Sequence, residues 1–152
     1  ITPGPSQNTA QGLGNVEQTP LPEEIAGLRL THFSQGEEAL AQIAKLHGKK
    51  FNLKNGYVAH YESSTAKAML WISESFYESE AQELIERMLV KIKEGKSPFS
   101  GLTEFQASGK TIYSLTGLGQ THYIYQERGM VVWLAVDPPV AEQALKETLA
   151  QI

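Results

Sequence analysis

Two stretches of this chain hold the residue types best suited to chemistry. The first, VAHYESSTAKAMLWISES, covers residues 58–75, and the second, GQTHYIYQERGMVVWLAV, covers residues 119–136. In each, a histidine is followed by tyrosine and a tryptophan stands eleven positions beyond the histidine. His60 and Trp71 thus recur as His122 and Trp133. An indole beside an imidazole gives a large apolar surface with a titratable, hydrogen-bonding edge. With Glu62 added for polarity, His60, Glu62, Trp71, His122 and Trp133 form a candidate binding set for a planar or apolar ligand, or for a partner protein. The competing reading is architectural: each Trp covers one side of a sheet under a loop, and each His bonds a neighbouring backbone group.

Other chemistries find less support. The four histidines, His32, His47, His60 and His122, show no His-x-His, His-x-x-x-His or HExxH spacing, so a metal site would need His60, His122 and Glu62 to converge in space. No metal or cofactor is expected, and haem ligation lacks a CxxCH motif. No GxSxG marks a serine nucleophile, and LTGLGQT lacks the third glycine of a dinucleotide loop. Glu74, Glu78, Glu80 and Glu83 make an acidic approach to a helix, which the helix dipole alone accounts for. The expectation is a domain that binds and does not catalyse, an enzyme without a recognisable motif being the remaining alternative.

Composition narrows the partners. Of 17 acidic residues, Glu17, Glu23 and Glu24 lie in the first 26 positions, where no Lys or Arg occurs, leaving 14 acidic against 13 basic in the rest. That near balance argues against a dedicated nucleic-acid or anionic-membrane binder. The basic run Lys45, Lys49, Lys50 and Lys54 beside His47 suits a solvated helix end. Cysteine is absent, which removes disulfides, zinc-thiolate sites and cysteine nucleophiles.

Residues 1–24 hold four of the seven prolines among Gly, Gln, Asn and Thr. Such a segment buries too little to repay its ordering entropy, and reads as a disordered linker ahead of a single domain over 25–152. A polar linker at the start of a chain that begins with Ile suggests a domain tethered outside the cytoplasm, with a signal or anchor upstream.

Within the domain, periodicity predicts a strand near 27–33 and a helix over 36–47 behind a Ser34–Glu37 capping box. Strands over 56–62 and 67–73 follow, then a helix opened by a second box at Ser79–Gln82, with Ala81, Leu84, Ile85, Met88, Leu89 and Ile92 on one stripe. Strands near 102–107, 110–116, 120–127 and 130–136 precede a closing helix capped at Asp137.

Hairpins join most strands. The expected class is therefore α+β, a largely antiparallel sheet with helices packed on one face, its leading β-α-β-β-α-β portion able to wind as a ferredoxin-like unit. If Arg128 and Gly129 form a two-residue turn, Glu127 faces Met130, Ile124 faces Trp133 and His122 faces Ala135. Alternation then places His60, Glu62, Met69 and Trp71 on one sheet face, and His122, Ile124 and Trp133 on the matching face of the second hairpin. The recurrence suggests a weak internal duplication of the hairpin, and the mixed face suggests a homodimer surface. LPEEIAGL, the hairpin-helix order and VVWLAV before a helix resemble extracytoplasmic bacterial proteins; this resemblance implies a location and no activity or site.

Overall fold

The computed structural model describes residues 21–47, 53–95 and 98–152. Eight strands form one antiparallel sheet: β1 (Glu24–Ile25), β2 (Leu28–Gln35), β3 (Asn55–Glu62), β4 (Lys67–Glu74), β5 (Ser100–Ala107), β6 (Lys110–Gly117), β7 (Gln120–Glu127) and β8 (Met130–Val136). Three helices accompany them: α1 (Glu37–His47), α2 (Glu78–Lys93) and α3 (Ala141–Gln151), the last entered through a 3-10 turn at Pro138–Val140. The α+β class therefore holds. The order across the sheet is β1-β2-β3-β4-β8-β7-β6-β5. Each half is a meander of sequence neighbours, and the halves meet at β4 and β8.

Short turns dictate the meanders. Ala26 and Gly27, Ser108 and Gly109, and Leu118 and Gly119 all take positive φ, the two-residue geometry that matches strand twist. The turn at Arg128 and Gly129 sets the register anticipated from sequence, pairing Glu127 with Met130, Ile124 with Trp133 and His122 with Ala135. The β3–β4 hairpin closes on a longer loop, with Glu62 opposite Lys67.

Four expectations are corrected. The helices do not share one face. α1 and α2 pack on the side bearing Val58, Trp71, Ile124 and Trp133, whereas α3 packs Ala141, Ala144 and Leu145 against Tyr61, Leu70, Tyr125 and Leu134 on the other. Both faces carry enough apolar area to need a cover, and the face that looked mixed takes two helices. The leading portion is not ferredoxin-like, because β2 and β3, joined through α1, are antiparallel neighbours rather than parallel strands with another between them. The fold also reaches back beyond residue 25. Leu21 is buried, the Pro22 carbonyl accepts the Tyr61 hydroxyl at 2.7 Å, and the Glu23 carbonyl accepts the Leu30 N–H. Residues 1–20 of the expected linker lie outside the described residues.

The caps differ too. Ser34 belongs to β2 and its hydroxyl bonds the Glu38 carboxylate at 3.1 Å. α2 starts at Glu78, where Glu80 accepts the Phe76 and Tyr77 backbone N–H groups. Asp137 makes no side-chain cap; its carboxylate accepts the Lys67 N–H at 2.9 Å and the Gln120 amide at 3.2 Å, tying β4 to β7 across the end of β8.

The two halves interlock at their junction. Trp71 lies opposite Trp133 on one face, and Leu70 opposite Leu134, both fully buried, on the other. Leu70→Ala and Leu134→Ala should each cost about 2–5 kcal/mol, with Leu118→Ala, at an exposed turn, within about 0.5 kcal/mol of wild type in urea unfolding. Because the two leucines touch, the double variant should depart from additivity; an additive pair would contradict the junction as drawn.

Candidate functional site

The structure places the five candidate residues in two unlike settings. His60 pairs with Met69, Met69 with Ala135, and Ala135 with His122. Both imidazoles thus lie in one row across the sheet, three strand spacings apart, or about 14–15 Å. His60, His122 and Glu62 do not converge. Among the described residues no group of three or more His, Cys, Asp or Glu is arranged to hold a metal.

The same pairs dispose of a simple equivalence between the hairpins. Val58 faces Trp71, two residues before His60, whereas Ile124 faces Trp133, two residues after His122. Superposing the tryptophans therefore leaves the histidines on different positions of their strands. A gapless sequence alignment could not show this, because the two hairpins close with loops of different length.

His122 and Trp133 form a closed unit. The Trp133 indole N–H donates to His122 Nδ1 at 3.0 Å, and His122 Nε2 lies 2.9 Å from the Gly117 carbonyl. With Nδ1 accepting, the ring is neutral and Nε2–H donates to Gly117. Phe99 meets both rings edge-on, at centroid distances of 4.7 Å from His122 and 5.3 Å from Trp133. Gly117 permits this cover, since a Cβ there would lie 2.6 Å from the Phe99 ring and 2.9 Å from the Pro98 carbonyl. Both imidazole nitrogens are therefore engaged inside the protein, as the architectural reading anticipates.

His60 and Trp71 are half-buried, and Glu62 is exposed at the end of β3. His60 lies opposite His32, with ring centroids 5.6 Å apart. Burial lowers the His60 pKa, the His32 charge lowers it further, and Glu62 opposes both. Trp71 packs between the α1 and α2 clusters. This quarter of the face leaves an imidazole edge accessible, whereas the His122 quarter does not. Of the basic run, the side chains of Lys45, Lys49 and Lys50 fall outside the described residues, and Lys54 lies 3.9 Å from Glu74.

A groove absent from the sequence reading runs between the first half of α2 and the adjoining ends of β6 and β7. It encloses about 390 Å³ and is walled on one side by Glu78, Gln82 and Glu86, and on the other by Lys110, Tyr113 and Arg128. Ile85 and Thr111 complete its floor with Gln126, whose amide donates to the Glu78 carbonyl at 3.0 Å and the Arg128 carbonyl at 2.8 Å. Lys110 pairs with Glu127 at 3.2 Å, and Arg128 reaches the same carboxylate at 3.5 Å. Burial, with Glu104 and Glu86 adding to it, raises the Tyr113 pKa and keeps its hydroxyl a neutral donor. The groove brings acidic side chains from α2 opposite basic ones from the sheet. Its sequence signal was weak, because the contributing residues come from α2, β6 and β7 and share no motif. Glu78, Gln82, Ile85 and Arg128 carry sequence signals of their own, as helix terminus, capping box, apolar stripe and turn, and none of these signals points to a groove.

The buried imidazole has a measurable consequence. Burial lowers the His122 pKa, against a smaller opposing effect of the Gly117 carbonyl. An unfolded histidine titrates near 6.5, so the unfolded chain takes up this proton first and acid favours unfolding. The His122 contribution is complete above roughly pH 7 and is lost as pH falls through about 6.5 toward the lower folded value. Protonation also turns Nδ1 into a donor facing the indole N–H. Thermal melts from neutral pH to about pH 5 should show wild type losing stability, and His122→Gln starting lower with a flatter profile over that window. Parallel profiles would refute the coupling. Comparison with known proteins leaves this geometry to stand alone: no family model, no curated protein and no solved structure matches the chain.

Proposed function

We propose that this chain is a non-catalytic binding domain whose ligand seats in the groove between α2 and the ends of β6 and β7. The observation that carries the reading is the groove itself, about 390 Å³ with Glu78 and Glu86 facing Lys110 and Arg128. That volume lies in the range of small-molecule sites, and the opposed charges suit a small polar ligand bearing both signs. Binding without catalysis is supported by the titrating groups. Neither histidine with a shifted pKa lines the groove, and Tyr113 is held as a donor rather than as a base.

A second reading rests on the half-buried pair His60 and Trp71, an aromatic and imidazole surface suited to an apolar ligand or a partner protein. The Pro- and Gly-rich segment ahead of residue 21 would serve in either case as a tether, holding the domain outside the cytoplasm. Cell fractionation of the whole gene product tests that location, and recovery with the cytosol would remove it.

Amide chemical-shift mapping with a panel of amino acids, dipeptides and phosphate esters separates the two sites. Perturbations should cluster at Thr111, Tyr113 and Gln126 and weaken at least severalfold in Lys110→Ala and Glu86→Gln, each a rim change that spares the core. Clustering at His60 and Trp71, answered by a Trp fluorescence change lost in His60→Ala, would favour the second reading. Chemical conversion of a panel member would overturn the non-catalytic one.

A further inference from the structure

The outer edge of β5 has no neighbouring strand among the described residues, since β5 ends the sheet and pairs with β6 alone. Exposed edges invite pairing, and proteins blunt them with lysine, proline, bulges or very short strands. The opposite border follows that practice: β1 is two residues long. β5 does not. Its eight residues, SGLTEFQA, contain no Lys, Arg or Pro, and its bulge lies in the first half, between Ser100 and Thr103. From Thr103 to Ala107 the register is regular.

Hairpin geometry determines which backbone groups point outward. Ala107 and Lys110 close the two-residue turn at Ser108 and Gly109, so they form a hydrogen-bonded pair. Alternation then makes Phe105 and Thr103 spend their N–H and C=O groups on β6, while Glu104 and Gln106 direct theirs to the free edge. Phe105 is 38% exposed and meets Tyr123 edge-on at 6.4 Å. An exposed aromatic ring thus stands on the segment whose alternate backbone groups face outward.

We propose that the chain pairs with a second copy of itself through the outer edge of β5, antiparallel, with Phe105 meeting Phe105 of the other copy across a two-fold axis. In this register Glu104 lies opposite Gln106 of the second copy, and the two exchange both main-chain bonds. The symmetry repeats the pair, giving four inter-chain bonds. Phe105 occupies the non-hydrogen-bonded position on the axis, where side chains come closest. Moving the two-fold axis by one residue, to Glu104, would set two carboxylates opposite each other, which is unfavourable. The strand is self-complementary in side chains as well as backbone, and a two-fold pairing closes on itself without leaving a new edge. The pairing is independent of any ligand in the α2 groove.

The absence of native cysteine makes the register testable by cross-linking. Sedimentation of the full chain from micromolar to millimolar should show a monomer–dimer equilibrium. Gln106→Pro removes an outward N–H while sparing the β6 ladder, and should shift that equilibrium at least tenfold toward monomer. Under air oxidation Phe105→Cys should form a disulfide dimer, whereas Glu104→Cys, facing Gln106 rather than its own copy, should remain uncross-linked. Wild type that stays monomeric throughout overturns the proposal. So does an association untouched by Gln106→Pro, or cross-linking of Glu104→Cys as readily as of Phe105→Cys.

Discussion

Among the described residues, the two halves of the sheet are joined through the ladder between β4 and β8, and the architecture depends on it. Along this junction Leu70 and Leu134 close one face while Trp71 and Trp133 meet on the other. Two of the helices brace the same junction. α2 leaves the first meander after β4 and packs on β7 and β8 of the second, through Ala81, Ile85, Leu89 and Ile92. α3 leaves the second meander after β8 and reaches β1 at the far border, where Glu147 accepts the Ala26 N–H at 2.7 Å. These two connections cross from one half to the other, whereas α1 stays on β2, β3 and β4 of the first meander.

The two histidines show how the junction assigns different environments to similar local sequences. Both lie in the same row, on the same side of the tryptophan pair. His122 falls beneath Phe99, in the stretch between α2 and β5, and is sealed by Trp133 and Gly117. His60 falls toward β2, beside His32, and stays half-buried. Burial disfavours the charged form of both, yet only at His122 does protonation also break a hydrogen bond inside the core.

What could be read from the sequence was what neighbouring residues decide. The Arg128 and Gly129 turn set the β7–β8 register to the residue, and the six-residue stripe of α2 identified its buried face. Features arising from long-range contacts were not legible. The pairing of Trp71 with Trp133 joins positions 62 residues apart, and no turn specifies it. Once β4 and β8 are placed together, both faces become broad enough to need helices, which is why a one-sided arrangement failed. The α2 groove was hidden for the same reason: its walls meet only after β6 and β7 are laid against the helix. The caps at Ser34 and Asp137 had the right residue types, but strand pairing drew their side chains to Glu38, Lys67 and Gln120 instead.

The order in which the strands appear along the chain also bears on biosynthesis. β4, with the sequence KAMLWISE, is complete at Glu74, but its partner strand begins at Met130. While the intervening chain is being made, a strand rich in apolar residues has one edge without its final partner. α2, made next, cannot shelter that edge, because the strands it packs on are also still to come. The nascent first meander therefore carries an edge open to wrong pairing until Val136 has emerged.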